Sequence, residues 1–387
     1  MSELGQGYWV AALSGLVATV TLVAITLAGL RLGRRAAPFL KERSSLSVAV
    51  VRPLCGLERF SEETLASGFR LDYPNYELVF CVASSADPVI PLARRLMDAH
   101  PHIPARLLVG DDRISDNPKL NNCVKGWEAA DRDWVILADS NVLMPANYID
   151  RMLAAWRPDT GLVCSTPIGA RPEGFWAEVE CAFLNTLQAR WQYAGEMLGL
   201  GFAQGKSMLW HKPLLESRGG IRALASDIAE DAAATKLVRS AGLKVHLVDR
   251  PFDQPLGVRE LAEIWARQLR WARLRRVTFP LFFAPEVLTS PVLPALALAT
   301  LAGLPALAAV GAVLAFLALW YGAEIALARR AGWHLSWRMP AAFLVRDLII
   351  PPLWAAAFAT RNVVWRGNAM HLATKGSADI APGASRA

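Results

Sequence analysis

The chain has 387 residues, a length that allows two or three domains, and 53% of them are hydrophobic, which is a high share for a soluble protein. The net charge is +7, with 33 arginines and 8 lysines against 34 acidic residues, and the basic residues gather beside the apolar segments. This distribution favours a membrane surface and phosphate groups as partners rather than nucleic acid.

The first apolar segment, Tyr8–Leu30, carries no charge and is long enough to cross a bilayer core. The preceding "MSELGQG" lacks the positive charge of a secretory signal. The basic residues follow the segment, at Arg31, Arg34, Arg35, Lys41 and Arg43. We therefore predict an uncleaved anchor over residues 1–35, with the N-terminus outside and the following domain in the cytoplasm.

The middle of the chain, residues 36–280, alternates between strand and helix patterns. The predicted strands are 47–54, Tyr76–Ser84, 105–112, 134–139 and 161–167. The predicted helices are Val89–Ala99, Leu120–Ala130, Asn147–Trp156 and Phe175–Met197. Such alternation predicts an α/β domain in which helices cover both faces of a mostly parallel sheet.

Polar side chains follow three of these strands, at Arg52, Asp87, and Asp139 with Asn141. Ligands bind beyond the carboxyl ends of the strands in parallel sheets, so these residues predict a site there. In "WVILADSNVLMP", Asp139 and Asn141 alternate and should face the same way. Their oxygens are suitable ligands for a divalent cation that also binds substrate phosphates. The sequence Asp-Ser-Asn is, however, also typical of a turn.

Three further stretches carry candidate site residues. "NPKLNN" places Lys119 between amides where a loop meets a helix, and "SDIAED" brings Glu230 and Asp231 to a helix start, where carboxylates are favoured. "RQLRWARLRR" spaces Arg267, Arg270 and Arg273 along one helical face beside Trp265 and Trp271. A helix of this kind also suits a membrane interface, where its basic face would meet lipid headgroups.

Two apolar regions near the C-terminus predict membrane segments over residues 281–365. The region Val287–Ala328 is long enough for two spans, with Gly303–Pro305 as the turn or kink between them. The region Ala341–Thr360 contains Arg346 and Asp347, which either pair with each other or line an acceptor entrance. The polar residues 366–387 are expected to be a disordered tail.

Taken in chain order, these pieces resemble the ceramide glucosyltransferases, membrane-anchored inverting glycosyltransferases with a GT-A-type fold. The signature of that family is three separated aspartates followed by (Gln/Arg)-x-x-Arg-Trp. The matching positions are Asp87 in "SSADP", Asp139 in "ADSN", Asp231 in "IAED", and Arg267 to Trp271 in "RQLRW". The resemblance runs from about residue 48 to 280 and continues loosely into the C-terminal segments.

The resemblance implies a role for each position. Asp87 would contact the uridine of a UDP-sugar, whereas Asp139 would face its diphosphate and a Mg²⁺ or Mn²⁺ ion. Asn141 stands where relatives often carry a second aspartate, and this departure removes one charged metal ligand. Asp231 would be the general base, with Glu230 beside it raising its pKa.

The remaining roles concern the departing diphosphate and the acceptor. Arg270 would neutralise the departing nucleoside diphosphate, and Trp271 would line the acceptor pocket. Lys119 and Arg52 would be further donor contacts.

The expected reaction is inverting transfer of a hexose, with glucose the first candidate, from a UDP-sugar to the primary hydroxyl of ceramide. A hopanoid or diacylglycerol acceptor would need the same chemistry. A third interpretation is a polysaccharide synthase, but the C-terminal membrane region is short for that function. A fourth is a non-catalytic scaffold, but the signature residues of the enzyme are all present. The arginine- and alanine-rich composition suggests a bacterium, and hence its inner membrane.

Overall fold

The computed structural model describes residues 3–34, 39–40, 42–301, 304–360, 362–365 and 368–371. The strands of the α/β domain, in chain order, are β1 (Val48–Leu54), β2 (Tyr76–Val82), β3 (Ala105–Val109), β4 (Trp134–Ala138), β5 (Thr160–Ser165), β6 (Ile168–Glu173), β7 (Ser207–His211), β8 (Lys244–Leu247) and β9 (Asp253–Val258). Seven of them form one sheet in the order β3-β2-β1-β4-β7-β5-β8, and β6 pairs with β9 in a separate parallel ladder.

The predicted sheet is confirmed as mostly parallel. β1 pairs in parallel with β2 and β4, β2 with β3, and β5 with β8. The strand β7, which the sequence patterns did not reveal, lies antiparallel between β4 and β5. The central strands read as apolar runs because helices bury both faces of the sheet.

Helices cover the sheet and extend from it toward both ends of the chain. In chain order they are α1 (Glu3–Gly33), α2 (Ser61–Ser67), α3 (Ile90–Ala99), α4 (Pro118–Ala129), α5 (Tyr148–Ala154), α6 (Phe175–Cys181), α7 (Arg190–Met197), α8 (Lys212–Glu216), α9 (Glu230–Ser240), α10 (Leu261–Thr278), α11 (Pro280–Phe283), α12 (Val292–Leu301), α13 (Ala306–Ala331) and α14 (Met339–Ala356). A π-helical segment, Ala182–Ala189, joins α6 to α7, so the predicted helix Phe175–Met197 is continuous but irregular.

Among the described residues, three helical segments are long and apolar enough to cross a membrane, namely Ala12–Gly33, Ala306–Ala331 and Met339–Ala356. The anchor and the last two C-terminal spans therefore match the sequence expectation. The first of the two spans predicted in 287–328 is not a single long helix in the structure. It is a pair of shorter helices, Pro280–Thr289 and Val292–Thr300, bent by 51° at Ser290 and Pro291. Proline cannot continue a helix because it lacks the backbone donor.

The helix α1, the predicted anchor, also packs on the α/β domain through its last turn. Arg31 is buried, and its Nε lies 2.6 Å from Glu196 Oε2 of α7, whereas its Nη1 lies 2.9 Å from Asp249 Oδ1. The same guanidinium donates to the carbonyl of Leu247 in β8. The basic residue that indicated orientation in the sequence thus also attaches the anchor to the sheet edge.

The charges in the last span pair within the protein. The Nε of Arg346 lies 2.8 Å from Asp347 Oδ1, and its Nη1 lies 2.8 Å from Glu324 Oε2 in α13. Arg190 of α7 reaches the other Glu324 oxygen at 2.8 Å, and all four side chains are fully buried. Of the two alternatives for Arg346 and Asp347, the structure confirms the ion pair.

The predicted tail, 366–387, lies outside the described residues except for Asn368–His371. That stretch is a strand paired with Asn362–Trp365, where disorder was expected. The β-branched and aromatic residues of "NVVW" favour this conformation.

Candidate active site

The end of β4 is the centre of the site because it adjoins two strands of opposite direction. β1 is its parallel neighbour, and β7 is its antiparallel neighbour. The register pairs Ala138 with Ser207, and the N–H of Asp139 donates to the carbonyl of Lys206 at 3.0 Å. The antiparallel strand therefore brings Lys206, a residue that sequence reasoning missed, directly opposite Asp139.

Two lysines hold the carboxylate of Asp139. Lys119 Nζ lies 2.7 Å from Oδ1, and Lys206 Nζ lies 2.9 Å from Oδ2. Lys206 Nζ also donates to Asn141 Oδ1 at 3.0 Å. Although burial opposes it, the two ammonium groups keep the pKa of Asp139 well below its usual range.

Lys119 links the end of β4 to the start of α9. Its ammonium lies 2.8 Å from Glu230 Oε1, and it donates to the carbonyl of Gly205. Although burial opposes it, the carboxylates of Asp139 and Glu230 raise the pKa of Lys119 above its usual range. The lysine is therefore charged, and the site contains a chain of alternating charges.

The amides of "NPKLNN" build the loop that presents this lysine. The side chain of Asn117 caps α4, accepting the N–H groups of Lys119 and Leu120, and its Nδ2 donates to Glu230 Oε2 at 2.6 Å. Asn122 donates to the carbonyls of Leu54 and Cys81, at the ends of β1 and β2. These asparagines thus position the site without being ligands themselves.

Asp231 lies at the start of α9, beside Glu230, and is half-buried. Its Oδ1 accepts the N–H of Ala232 at 2.8 Å. Burial, with the adjacent charge of Glu230 as the second cause, raises its pKa to about 7. A carboxylate whose pKa lies near neutral pH is suited to accept a proton from a hydroxyl.

Gly205 leaves the space in which these groups meet. A Cβ at this position would lie 2.8 Å from Glu230 Oε1, 2.9 Å from Lys119 Nζ and 3.7 Å from Asp231 Oδ2. A larger residue would therefore displace Glu230 and Lys119, and its Cβ would be in ordinary contact with Asp231. The "GK" dipeptide before the apolar run "SMLW" was the signal that could have indicated both Gly205 and Lys206.

Arg52, predicted as a donor contact, lies beneath the site instead. Its side chain is fully buried and donates to the carbonyls of Thr64 at 2.7 Å and Ser140 at 2.9 Å. Two longer hydrogen bonds, each of 3.2 Å, reach the carbonyls of Asp139 and Val142. We correct the prediction accordingly, because a guanidinium enclosed by backbone carbonyls supports the Asp139–Val142 turn and has no surface for a ligand.

Asp87 connects the loops that follow β1 and β2. Both of its oxygens accept the N–H of Gly56 at 3.0 Å, and Oδ1 also accepts the N–H of Val89 at 2.9 Å. The residue is half-buried at the same edge of the sheet as Asp139. Its expected contact with a nucleoside stays a prediction.

The arginine-tryptophan motif lies on α10. Arg267 Nη1 donates to the buried Glu180 Oε1 at 2.9 Å, and Arg270, three residues further along, is half-buried. Trp271 packs against Cys181, Leu184 and Leu256. The motif therefore joins the site to the irregular helix next to the membrane segments, and the expected roles of Arg270 and Trp271 stay predictions.

A polar cavity of about 300 Å³ opens beside the end of β4. Its walls come from the loop after β1, the turn at Ser140 and Asn141, the strand β9, and the α10 residues Glu263 and Arg267. This cavity lies next to the charged cluster and is large enough for part of a polar ligand.

A divalent cation would have to use oxygens that a lysine already contacts. Asp139 and Asn141 offer the carboxylate and amide oxygens that hard cations accept. Within the described part of the chain, however, no group of three or more His, Cys, Asp or Glu residues is arranged to hold a metal. The residues fit a cation that would take its other ligands from a bound molecule and would be repelled by the ammonium of Lys206.

Comparison with known proteins decides the family. The sequence profile of glycosyl transferase family 21 matches residues 9–378, which is almost the whole chain. This chain belongs to glycosyl transferase family 21. The family assignment agrees with the resemblance that the spaced aspartates and "RQLRW" carry, and the chain is a glycosyltransferase of the ceramide glucosyltransferase type.

Relatives of this family 21 protein include ceramide glucosyltransferases from a nematode and a yeast. Ceramide glucosyltransferase 3 of Caenorhabditis elegans is 26% identical over 344 residues, covering 87% of this chain and 75% of the relative. Ceramide glucosyltransferase of Komagataella phaffii is 38% identical over 112 residues, covering 28% and 22%.

Among solved structures, a mannosyltransferase from Pyrobaculum calidifontis, in complex with GDP-Man and Mn²⁺, is similar with a TM-score of 0.53. It is 20% identical, and the match covers 88% of this chain and 99% of that one. At this identity the similarity shows the GT-A-type fold of the family 21 protein and nothing finer.

Proposed function

We propose that this protein transfers a hexose, with glucose the first candidate, from a UDP-sugar to the primary hydroxyl of ceramide and inverts the anomeric centre. The observation that carries the proposal is the position of Asp231, whose pKa is raised to about 7, next to the Lys119–Glu230 pair. The names of the relatives support ceramide as the acceptor.

In this proposal the donor lies across the carboxyl ends of β1, β2 and β4. Asp87 contacts the uridine, and the diphosphate lies near Asp139 and Lys119. Arg270 stabilises the charge that develops on the departing diphosphate. Arg52 acts only by supporting the turn that contains Asp139.

Asp231 then acts as the general base. It takes the proton from the acceptor hydroxyl as the hydroxyl oxygen forms a bond to the anomeric carbon, and the bond from that carbon to the diphosphate breaks. UDP leaves with the electron pair of the broken bond. One carboxylate base is sufficient for this single displacement, because the diphosphate needs no general acid of the kind a glycosidase supplies.

A divalent cation, Mg²⁺ or Mn²⁺, fits the proposal as a second source of positive charge. Asp139 and Asn141 would hold it together with diphosphate oxygens. When bound, it supplies electrostatic stabilisation of the leaving group.

The acceptor reaches the site from the membrane. Ceramide keeps its chains in the bilayer and offers a hydroxyl at the interface, so the catalytic domain must lie against the membrane surface. α10 ends one residue before α11 and the apolar bent pair, and Trp271 on α10 suits the headgroup region, where tryptophan is favoured. The catalytic domain is cytoplasmic in this proposal, and the membrane is a bacterial inner membrane.

The test is to incubate the purified full chain in lipid nanodiscs with a panel of UDP-sugars and ceramide, and to identify the product by mass and anomeric configuration. The expected product is a β-linked hexosylceramide, which the Asp231→Asn variant does not form. Parallel reactions contain diacylglycerol or a hopanoid in place of ceramide. If product forms only with diacylglycerol or the hopanoid, that lipid is the acceptor instead of ceramide. If a polymer forms, the protein is a polysaccharide synthase.

A further inference from the structure

The ammonium of Lys206 lies where the sequence predicts a divalent cation. It is 2.9 Å from Asp139 Oδ2 and 3.0 Å from Asn141 Oδ1, the two oxygen-bearing side chains at the end of β4. Its side chain is only 16% exposed. A lysine thus holds one positive charge between the two candidate metal ligands.

We propose that Lys206 is a built-in cation for the donor diphosphate, so that nucleotide binding does not depend on a divalent ion alone. The proposal rests on the UDP-sugar function proposed above, and it assigns a binding role to a residue outside the signature of three aspartates and "RQLRW". An ammonium has three donors. Asp139 and Asn141 take two of them, and the third can be donated to a phosphate oxygen.

The charges around Lys206 favour this role over a purely structural one. Lys119 divides its charge between Asp139 and Glu230, so the positive charge on Lys119 is already balanced. Lys206 contacts one carboxylate, that of Asp139, which it shares with Lys119. A phosphate oxygen that accepts the third N–H of Lys206 would therefore meet an ammonium with one carboxylate partner, whereas the ammonium of Lys119 has two.

The backbone holds Lys206 in register with Asp139. Lys206 directly precedes β7, and its carbonyl accepts the N–H of Asp139 at 3.0 Å. The side-chain contact between the same two residues therefore spans adjacent strands. The position depends on the strand pairing and not on a flexible loop, so this charge is present before the donor binds.

Lys206 and a divalent cation compete for the same oxygens. Each oxygen has a second lone pair, but an ion bound there would lie next to the ammonium, and the repulsion between the two cations makes them compete. Removal of the ammonium should therefore weaken nucleotide binding without metal and leave the two oxygens open to the ion. Weaker UDP binding without metal, together with unchanged binding in its presence, distinguishes the proposal from a general loss of stability.

The experiment measures UDP binding to the purified full chain by isothermal titration calorimetry, once with Mn²⁺ and once with excess EDTA. For the wild type we expect binding in both buffers, with the affinity in EDTA reduced by no more than about tenfold. For Lys206→Gln we expect the affinity for UDP in EDTA to be at least about tenfold lower than that of the wild type, and the affinity in Mn²⁺ to be near normal. Lys206→Arg, which keeps the charge, should bind UDP in EDTA as the wild type does.

Lys244→Gln is the matched control. It removes the same charge from an exposed lysine that pairs with Asp159, and UDP binding should be unchanged in both buffers. The proposal is overturned if wild-type binding disappears in EDTA, or if Lys206→Gln equals the wild type there. Should Lys206→Gln bind in neither buffer, Lys206→Arg decides, because loss of its binding in EDTA also overturns the proposal.

The two proposals can fail separately. Hexosylceramide formation in Mn²⁺ together with loss of wild-type UDP binding in EDTA overturns the role of Lys206 and leaves the function intact. Absence of UDP binding by the wild type in both buffers overturns both.

Discussion

The ammonium of Lys119 lies 2.8 Å from Glu230 Oε1, although 111 positions separate the two residues in the chain. The same ammonium lies 2.7 Å from Asp139 Oδ1. One lysine therefore connects the strand end that carries Asp139 with the helix start that carries Asp231. This connection is the basis for the predictions on the site, because a change at one of these residues alters the electrostatics of the others.

Replacement of Asp231 by Asn should remove turnover and spare donor binding. Asn is nearly isosteric with Asp but cannot accept the proton, and general-base catalysis typically contributes about 10²–10⁴-fold. The value of kcat should fall by at least that range, whereas the dissociation constant of UDP should change little. Steady-state kinetics and calorimetry measure the two quantities on the same preparation.

The control for this prediction is the adjacent Glu230. Neighbouring side chains on a helix point about 100° apart, so both cannot address one hydroxyl equally. If Asp231→Asn keeps near-normal turnover while Glu230→Gln loses it, the two roles must be exchanged.

The pH dependence of kcat should follow the ionisation of Asp231. Its pKa is raised to about 7, so the base is protonated and inactive below that pH, and kcat should rise as the pH passes through it. Glu230→Gln should move the inflection to lower pH, because the adjacent negative charge is removed while burial remains. The exposed Glu128→Gln should leave the inflection in place. A wild-type profile without an inflection near neutral pH would exclude this assignment.

Folding stability should respond to the same group in the opposite sense. An acid whose pKa is higher in the folded than in the unfolded protein binds more protons when folded, so stability falls as pH rises from the unfolded value through about 7. Asp231→Asn removes this titration. The melting temperature of Asp231→Asn minus that of the wild type should therefore be larger above neutral pH than below it. If this difference is the same well below and well above pH 7, the raised pKa of Asp231 is wrong.

Replacement of Asp139 by Ala should abolish UDP binding while leaving the fold intact. The carboxylate orients both lysines and is the charged candidate ligand for a cation, so its loss disorganises the diphosphate position with or without metal. Calorimetry measures the binding, and circular dichroism checks the fold. The exposed Asp131→Ala is the control that should behave as wild type. Retained UDP affinity in Asp139→Ala would contradict the placement of the donor.

Replacement of Arg346 by Ala should destabilise the C-terminal membrane region by roughly 3–5 kcal/mol, because it leaves Glu324 and Asp347 buried with too little positive charge. Arg329→Ala, on the exposed side of α13, should change stability by less than about 0.5 kcal/mol. Unfolding in mixed detergent micelles measures both. The double replacement of Arg346 and Glu324 should cost less than the sum of the single ones, and strict additivity would show that the pair is not coupled.

The sequence alone determined the family and most of the local elements of the α/β domain. Apolar runs such as "WVILA" predict buried strands, since only a sheet covered on both faces tolerates them, and the polar residues after them predicted the edge at which Asp139 lies. The spaced aspartates and "RQLRW" indicated the family, which the profile match confirms. These signals are local in the chain, or depend only on order and spacing.

The tertiary structure decided what each charge contacts. Arg52 follows the same pattern as Asp139 in the sequence, yet it is buried beneath the turn, because the carbonyls that surround it come from α2 and from the loop after β4. The "GK" before "SMLW" marks Lys206 in the sequence, but only the antiparallel insertion of β7 between β4 and β5 brings it opposite Asp139. Contacts between distant parts of the chain depend on strand order and register, and those depend on how the whole sheet packs, which no local stretch of residues encodes.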